Sequence, residues 1–174
     1  MTQPLTFNGA YQPPAALPPF LSGLLTTTHD RHVDMANLIA GLPQEALDWR
    51  PVALSASLAG LGLHVTEVEC FIARVAAGAE ERWTGENGSR MEDRATAGEL
   101  REAILAADVR LKTILEAISP SRLAEMQPGE PRTIGEMLVE DLDHAAMHYG
   151  QMQLTRHLWE ASHPGFEGTY THWR

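Results

Sequence analysis

The sequence predicts an all-α protein of 174 residues, built as a four-helix bundle. Apolar residues recur at three- and four-residue steps in four long segments, which is the period of an amphipathic helix. The alternating pattern of a β-strand does not extend far enough anywhere to form a sheet. The composition, with 44% hydrophobic and 21% charged residues, is that of a globular domain. Four long amphipathic helices with intervening loops favour a bundle.

The first helix follows an arm rich in proline. Five prolines within the first 19 residues predict an extended arm over 1–17, because proline lacks an N–H group and fixes φ. The helix begins at Pro18 or Pro19, since proline suits a first helical position, and Gly41 and Pro43 end it. Its apolar stripe consists of Leu21, Leu24, Leu25, Thr28, Met35, Leu38, Ile39 and Leu42.

The second helix runs from Ser55 or Ser57 to Ala79. Two glycines in its first turns, Gly60 and Gly62, each lower helix stability by about 1 kcal/mol relative to alanine. We expect them to permit close contact with another helix or to leave space beside a site. The stripe of this helix consists of Leu58, Leu61, Val65, Val68, Phe71 or Ile72, and Val75.

The third and fourth helices each begin with a capping box. Thr96 with Glu99, and Thr133 with Glu136, pair a hydroxyl and a carboxylate that satisfy free backbone N–H groups. The third helix ends before Pro120. The two stripes consist of Leu100, Ile104, Ala107, Leu111, Ile114, Leu115 and Ile118, and of Ile134, Leu138, Leu142, Ala145, Tyr149, Met152 and Trp159.

Three irregular links join these helices, over 43–54, 80–95 and 120–131. The bundle then occupies 18–160. A tail over 161–174 ends in aromatic residues, and we expect it to fold back or to pack on a partner.

Charge and composition exclude several classes of function. Thirteen basic and 23 acidic residues give a net charge of −10, and the basic residues are scattered, which disfavours binding to nucleic acids or anionic membranes. The single cysteine, Cys70, cannot form an internal disulfide and lies in an apolar run typical of a buried side chain. No secretory signal is evident, and no apolar run approaches the ~20 residues that span a bilayer. We therefore expect a cytoplasmic protein.

Two of the eight histidines, His144 and His148, are four residues apart in the fourth helix. This spacing places both imidazoles on one face, where they can bind one cation. Two ordinary histidines on a polar face can have the same spacing, so the pair alone does not establish a metal site.

His64 supports a metal site because it lies among apolar residues of the second helix. One interpretation is a core histidine bonded to a backbone carbonyl. The other is a third ligand, since bundles build metal sites between facing helices. Three neutral nitrogens would leave coordination positions open, as in catalytic centres.

A second pair, His29 and His32, lies three residues apart on the first helix. Because Asp30, Arg31 and Asp34 surround it, we expect this pair on a solvated face. The zinc-protease motif His-Glu-x-x-His is absent, so peptide hydrolysis of that type is not supported. Three further histidines lie outside the proposed cluster: His157, His163 and His172.

These elements together resemble the DinB-like, or damage-inducible, family of metal-binding four-helix bundles. The resemblance rests on Leu-Asp-Trp-Arg-Pro at 47–51, on His64 followed by Glu69, and on His-Ala-Ala-Met-His-Tyr-Gly-Gln at 144–151. It covers about residues 20–160. It implies a three-histidine site for one divalent metal with His64, His144 and His148 as ligands, and a homodimer.

The resemblance also bears on neighbouring positions. The Gly-Gln that usually follows the last ligand is present as Gly150-Gln151, whereas Tyr149 replaces an arginine often found there. Some relatives are S-transferases or isomerases that use low-molecular-weight thiols, which implies a thiol cofactor here.

The residues themselves suggest what a metal would do. Imidazole ligands suit zinc, nickel, iron and copper, and we expect zinc or nickel, with iron as an alternative. Three neutral ligands leave the charge of the ion uncancelled, so it should attract hydroxide, carboxylate or thiolate. Because the ligands must be neutral, occupancy should fall below a pH of about 6.

Three polar residues near the ligands are candidates for supporting roles. Glu69 is a candidate general base or a partner in a helix salt bridge. Gln151, three residues after His148, is placed to orient a ligand or a substrate. Asp141, three residues before His144, is a candidate acceptor behind a ligand or a fourth ligand.

Three functions are compatible with these features. The first is a metal-dependent transferase, thiol-dependent by resemblance, or a hydrolase acting on a small molecule. The second is a metal-binding stress or regulatory protein without turnover. The third is a structural bundle whose histidines are incidental.

Overall fold

The structure, a computed structural model, describes residues 11–81, 90–129 and 131–166 and is mainly helical. Much of the predicted arm and tail, including Tyr170, His172 and Trp173, lies outside these ranges. The described part has five α-helices: α1 (Pro19–Ile39), α2 (Gln44–Asp48), α3 (Leu58–Ala76), α4 (Ala97–Leu115) and α5 (Ile134–Ser162).

The predicted all-α bundle is confirmed. Four long helices form it: α3 packs along α4 and α5, and α1 packs along the same two helices from the other side. Helices α1 and α3 therefore face each other across the bundle axis.

The helix starts follow the predicted capping residues. Thr96 and Thr133 both form complete capping boxes with the glutamates three residues later. Ser57 caps α3 by accepting a hydrogen bond from the N–H of Gly60, at 3.1 Å. Helix α1 begins at Pro19, and Gly41 adopts a φ of 73° just after it, a conformation that favours glycine.

The links hold more regular structure than the sequence indicated. The first, predicted as irregular over 43–54, contains α2, whose Ala46 and Leu47 are fully buried. A five-residue helix is too short to show a periodic pattern. Two 3₁₀ turns, Arg90–Glu92 and Pro120–Ala124, lie in the other two links.

The two glycines near the start of α3 permit close contact with neighbouring elements. Close contact is one of the two roles that the sequence predicted for them. A Cβ atom at Gly60 would fall on the backbone carbonyl of Met91, and one at Gly62 would lie 2.8 Å from a methyl group of Leu100. The 3₁₀ turn at Arg90–Glu92 and α4 therefore approach α3 where it lacks side chains.

The interior has two apolar layers with polar residues between them. One layer joins the C-terminal part of α1 to the first turns of α3 and α4 and to the end of α5. The other joins the opposite halves of the same helices. The polar layer between them holds buried side chains from all four helices: His29, His32, His64, Glu69, Asp108 and His148.

The structure also describes the surroundings of Cys70 and the first residues of the tail. Cys70 is buried as predicted, and burial raises the pKa of its thiol to about 11. At the end of α5, the Trp159 ring stacks on His163 and meets Phe166 edge-on.

Among the described helices none is both long and apolar enough to span a membrane.

Candidate metal centre

Three histidines from two helices converge in the polar layer. His64 comes from the second turn of α3, and His144 and His148 lie one turn apart on α5. The Nε2 atom of His144 is 3.2 Å from Nε2 of His64 and 3.0 Å from Nε2 of His148. The structure thus brings together the three residues predicted as ligands, and within its described part they are the group arranged to hold a metal ion.

The spacing of the nitrogens suits a shared cation. Two nitrogens bound at 2.0–2.1 Å lie about 3.4 Å apart around a tetrahedral ion and about 2.9 Å apart at a right angle. The observed 3.0 and 3.2 Å fall between these values. The ring planes are steeply inclined to one another, with interplanar angles of 66°, 82° and 87°, while the Nε2 distances show that these nitrogens converge.

Gln151 fixes the ring of His148. The Nδ1–H group of His148 donates to Oε1 of Gln151 at 2.7 Å. This tautomer leaves a lone pair on Nε2, which is the arrangement that a metal-binding histidine needs. Gln151 therefore has the orienting position expected from its spacing.

The surroundings of His144 and His148 favour the neutral form of both rings. Burial, followed by the nearby charges of His148 and His64, lowers the pKa of His144 to about 4. Burial also lowers the pKa of His148, although the bond to Gln151 opposes it. Neutral rings with converging lone pairs repel one another unless a cation or a shared proton lies between them, so this donor set fits a divalent transition metal.

The prediction for His29 and His32 is wrong. Both are buried, His32 completely, although charged residues neighbour them in the sequence. Nδ1 of His29 and Nδ1 of His32 lie 3.0 and 3.3 Å from the same carboxylate oxygen of Asp108. The other oxygen of Asp108 accepts from Lys112 at 2.6 Å. Both histidines therefore point into the bundle, where the carboxylate of Asp108 provides a hydrogen-bond partner for their Nδ1 atoms.

Glu69 belongs to this second cluster. Its Oε2 atom accepts from Nε2 of His32 at 2.8 Å, across the bundle from α1 to α3, and its side chain is 2% exposed. The contact differs from the intrahelical salt bridge that the sequence suggested as the alternative to a general base. The carboxylate therefore faces α1, and a catalytic role for Glu69 stays a prediction.

The second cluster pairs basic side chains with two carboxyl groups. Burial opposes a charge on His32, but Glu69 and Asp108 outweigh it and raise the pKa of His32 to about 9. Asp108 is also desolvated, yet hydrogen bonds from His32, Lys112 and His29 hold its pKa well below the usual range. His32 and Lys112 therefore face the carboxyl groups of Glu69 and Asp108 inside the bundle.

A cavity of about 650 Å³ opens beside the histidines, between α3, α5 and the link that precedes α5. His144 and Asp141 both line it. The Oδ1 atom of Asp141 is buried and has no hydrogen-bond partner among the described residues. Asp141 is thus beside the histidine cluster, as predicted, but no described contact joins it to a ligand ring.

The buried cluster on α1 and α4 was missed in the sequence, although a signal was present. His32 lies four residues after Thr28 and three before Met35, both on the apolar stripe. Asp108 has the same relation to Ile104 and Leu111. A polar residue at a stripe position is a buried one that needs a partner.

The family of the chain follows from a comparison of its sequence with models of protein families. A search of curated proteins found no match to the chain. The family model described as DinB superfamily matches residues 27–152, which include the three histidines and most of the bundle. The chain therefore belongs to the DinB superfamily.

Proposed function

We propose that this protein holds one divalent transition metal on His64, His144 and His148 and acts on a small molecule as a metal-dependent transferase or hydrolase. The observation that carries the proposal is the convergence of three Nε2 atoms, with separations of 3.0 and 3.2 Å, beside a cavity that shares His144. A closed structural site would have four protein ligands, whereas three leave room for a substrate.

The metal would supply Lewis-acid chemistry. Zinc or nickel is the expected ion, with iron as the alternative. An ion on three neutral imidazoles lowers the pKa of bound water towards about 7 or holds a thiolate from a low-molecular-weight thiol. Gln151 then acts as a positioning residue, because it touches His148.

The first experiment measures metal in protein purified without an affinity tag. We expect about one divalent ion per chain, since the part of the chain that the structure describes contains one three-histidine group. His148→Ala should remove it while circular dichroism shows that helicity is retained. His157→Ala on the same helix is the matched control and should keep the ion. Stoichiometric metal in His148→Ala would overturn the ligand assignment.

A second experiment addresses turnover. Protein loaded with zinc, nickel or iron is assayed with a panel of small thiols and electrophiles, and product is followed by mass spectrometry. Transfer that needs both the metal and His148 supports a thiol-dependent S-transferase. Metal uptake without turnover in any combination would instead favour a non-catalytic regulatory or stress role.

We also propose a homodimer. Three apolar side chains on the outer face of α5 are exposed to between 42 and 58%: Met147, Leu154 and Leu158. Sedimentation should give a dimer that Leu154→Glu weakens, because a buried carboxylate without a partner is unfavourable. A monomeric wild type would contradict this. Nucleic-acid and membrane partners remain unexpected at a net charge of −10, and a cytoplasmic location stays a prediction.

A further inference from the structure

The cavity beside His144 has an apolar wall and a polar wall. Helix α3 supplies Val68, Phe71 and Val75 to the apolar wall, and Met137 of α5 joins them. A volume of about 650 Å³ lies within the range of small-molecule sites, which are mostly apolar with few polar groups. The apolar wall suits a hydrocarbon portion of a ligand.

The polar wall carries more negative than positive charge. Glu81, Glu140 and Asp141 line it against one guanidinium, that of Arg132. Arg132 pairs with Glu140, and Glu81 accepts two bonds from Arg74 at 2.8 and 2.9 Å. These pairs satisfy two of the three carboxylates.

Asp141 is the third carboxyl group and is the one without a described partner. Its Oδ1 atom is buried, and Glu69 is close enough to act on it electrostatically. Desolvation, and then the charge of Glu69, raise the pKa of Asp141 well above its ordinary value. An ammonium group at Asp141 stabilises the ionised carboxylate that burial and Glu69 disfavour, so its binding is coupled to loss of the proton from Asp141.

A second acceptor points to the same ligand chemistry. The side-chain oxygen of Gln127 is also buried without a hydrogen-bond partner among the described residues, and Gln127 lines the cavity. Two unsatisfied acceptors on one wall favour a ligand group with several N–H donors.

We propose that this cavity selects small molecules with an apolar body and an ammonium group, and that Asp141 discriminates them from carboxylic acids of the same size. The inference rests on the proposed function, since it places the substrate of the metal centre in this cavity. Beyond the proposed function, it specifies that the substrate carries a positive charge.

The test uses two thiols of similar length and opposite charge on the cobalt-loaded full chain. Binding of 2-aminoethanethiol and 3-mercaptopropanoate is followed by the thiolate-to-cobalt absorption, and the ratio of their dissociation constants is taken. Asp141→Asn should reduce the preference for the amine about tenfold, because an amide cannot ionise to pair with the ammonium group in a partly buried site. Differences between the thiols themselves cancel when the two proteins are compared.

Asp143→Asn is the matched control, since it makes the same change on an exposed position of α5. It should leave the ratio within about twofold of wild type, as expected for a screened surface charge. An unchanged ratio in Asp141→Asn, or an equal change in Asp143→Asn, would overturn the inference.

Calorimetry on the metal-free full chain separates the cavity from the metal. Wild type should bind 3-phenylpropylamine more tightly than 3-phenylpropanoate, which has the same apolar body. Equal binding, or preference for the acid, would overturn the inference even if Asp141→Asn failed to fold. Failure to take up cobalt would instead refute the proposed function, and the calorimetric comparison would still decide the charge preference.

Discussion

Glu69→Gln tests whether Glu69 acts through His32. The substitution keeps the size of the side chain but removes the negative charge that faces His32 at 2.8 Å. We expect the folded protein to lose stability at pH 6, because a buried protonated imidazole loses a charged partner.

The magnitude follows from the pKa of His32. The group titrates near 6.5 in an unfolded chain and at about 9 in the folded one, so its charged form is favoured by about 3 kcal/mol. This stabilisation is complete below pH 6.5 and is lost as the pH rises through 9. Because Glu69 is the largest favourable cause of the shift, its removal should cost about 2–4 kcal/mol at pH 6. The cost should shrink to below about 1 kcal/mol at pH 10.

Urea unfolding at pH 6 and pH 10 measures both values. Glu67→Gln, two residues away and only partly buried, is the control and should change stability by less than about 0.5 kcal/mol. An equal cost at the two pH values, or no cost at pH 6, would refute the reasoning. If metal-dependent turnover fell in Glu69→Gln while stability did not, Glu69 would have the catalytic role predicted from the sequence.

Three further predictions concern the metal centre and the helices. Gln151→Leu should weaken zinc binding about 10–100-fold in competition with a chelator, because the ring of His148 loses its orienting acceptor; unchanged affinity would contradict this. Since the pKa of His144 is lowered to about 4, protons compete weakly for it, and zinc retained on dialysis should fall only below a pH of about 5, lower than ordinary histidines predict. Gly60→Ala should lower the melting temperature through a backbone clash, whereas Gly150→Ala, which meets no neighbour within 4 Å, should raise stability by about 0.5–1 kcal/mol in calorimetry.

The long helices could be predicted because their apolar spacing and caps are local signals. Both capping boxes set the starts of α4 and α5 at the predicted residues. Helix α2 left no such signal, because five residues complete little more than one turn. Its burial depends on contacts that only the folded chain supplies.

The site was predictable to a similar depth. The spacing of His144 and His148 fixed a common helix face, and the apolar surroundings of His64 indicated that it points inward. The pairing of Glu69 with His32 joins residues 37 positions apart across the bundle axis, and no local pattern encodes that distance. Charged neighbours of His29 and His32 misled the prediction because successive helix residues face different directions.

The length of α5 has a practical consequence. One uninterrupted rod of 29 residues, about 43 Å long, carries the rings of His144 and His148 and also the solvent-exposed side chain of Met147. Any rotation of the rod that adjusts His144 and His148 against His64 must also turn the thioether of Met147. The rate at which a mild oxidant converts that thioether to a sulfoxide therefore reports on changes in the position of the histidine nitrogens.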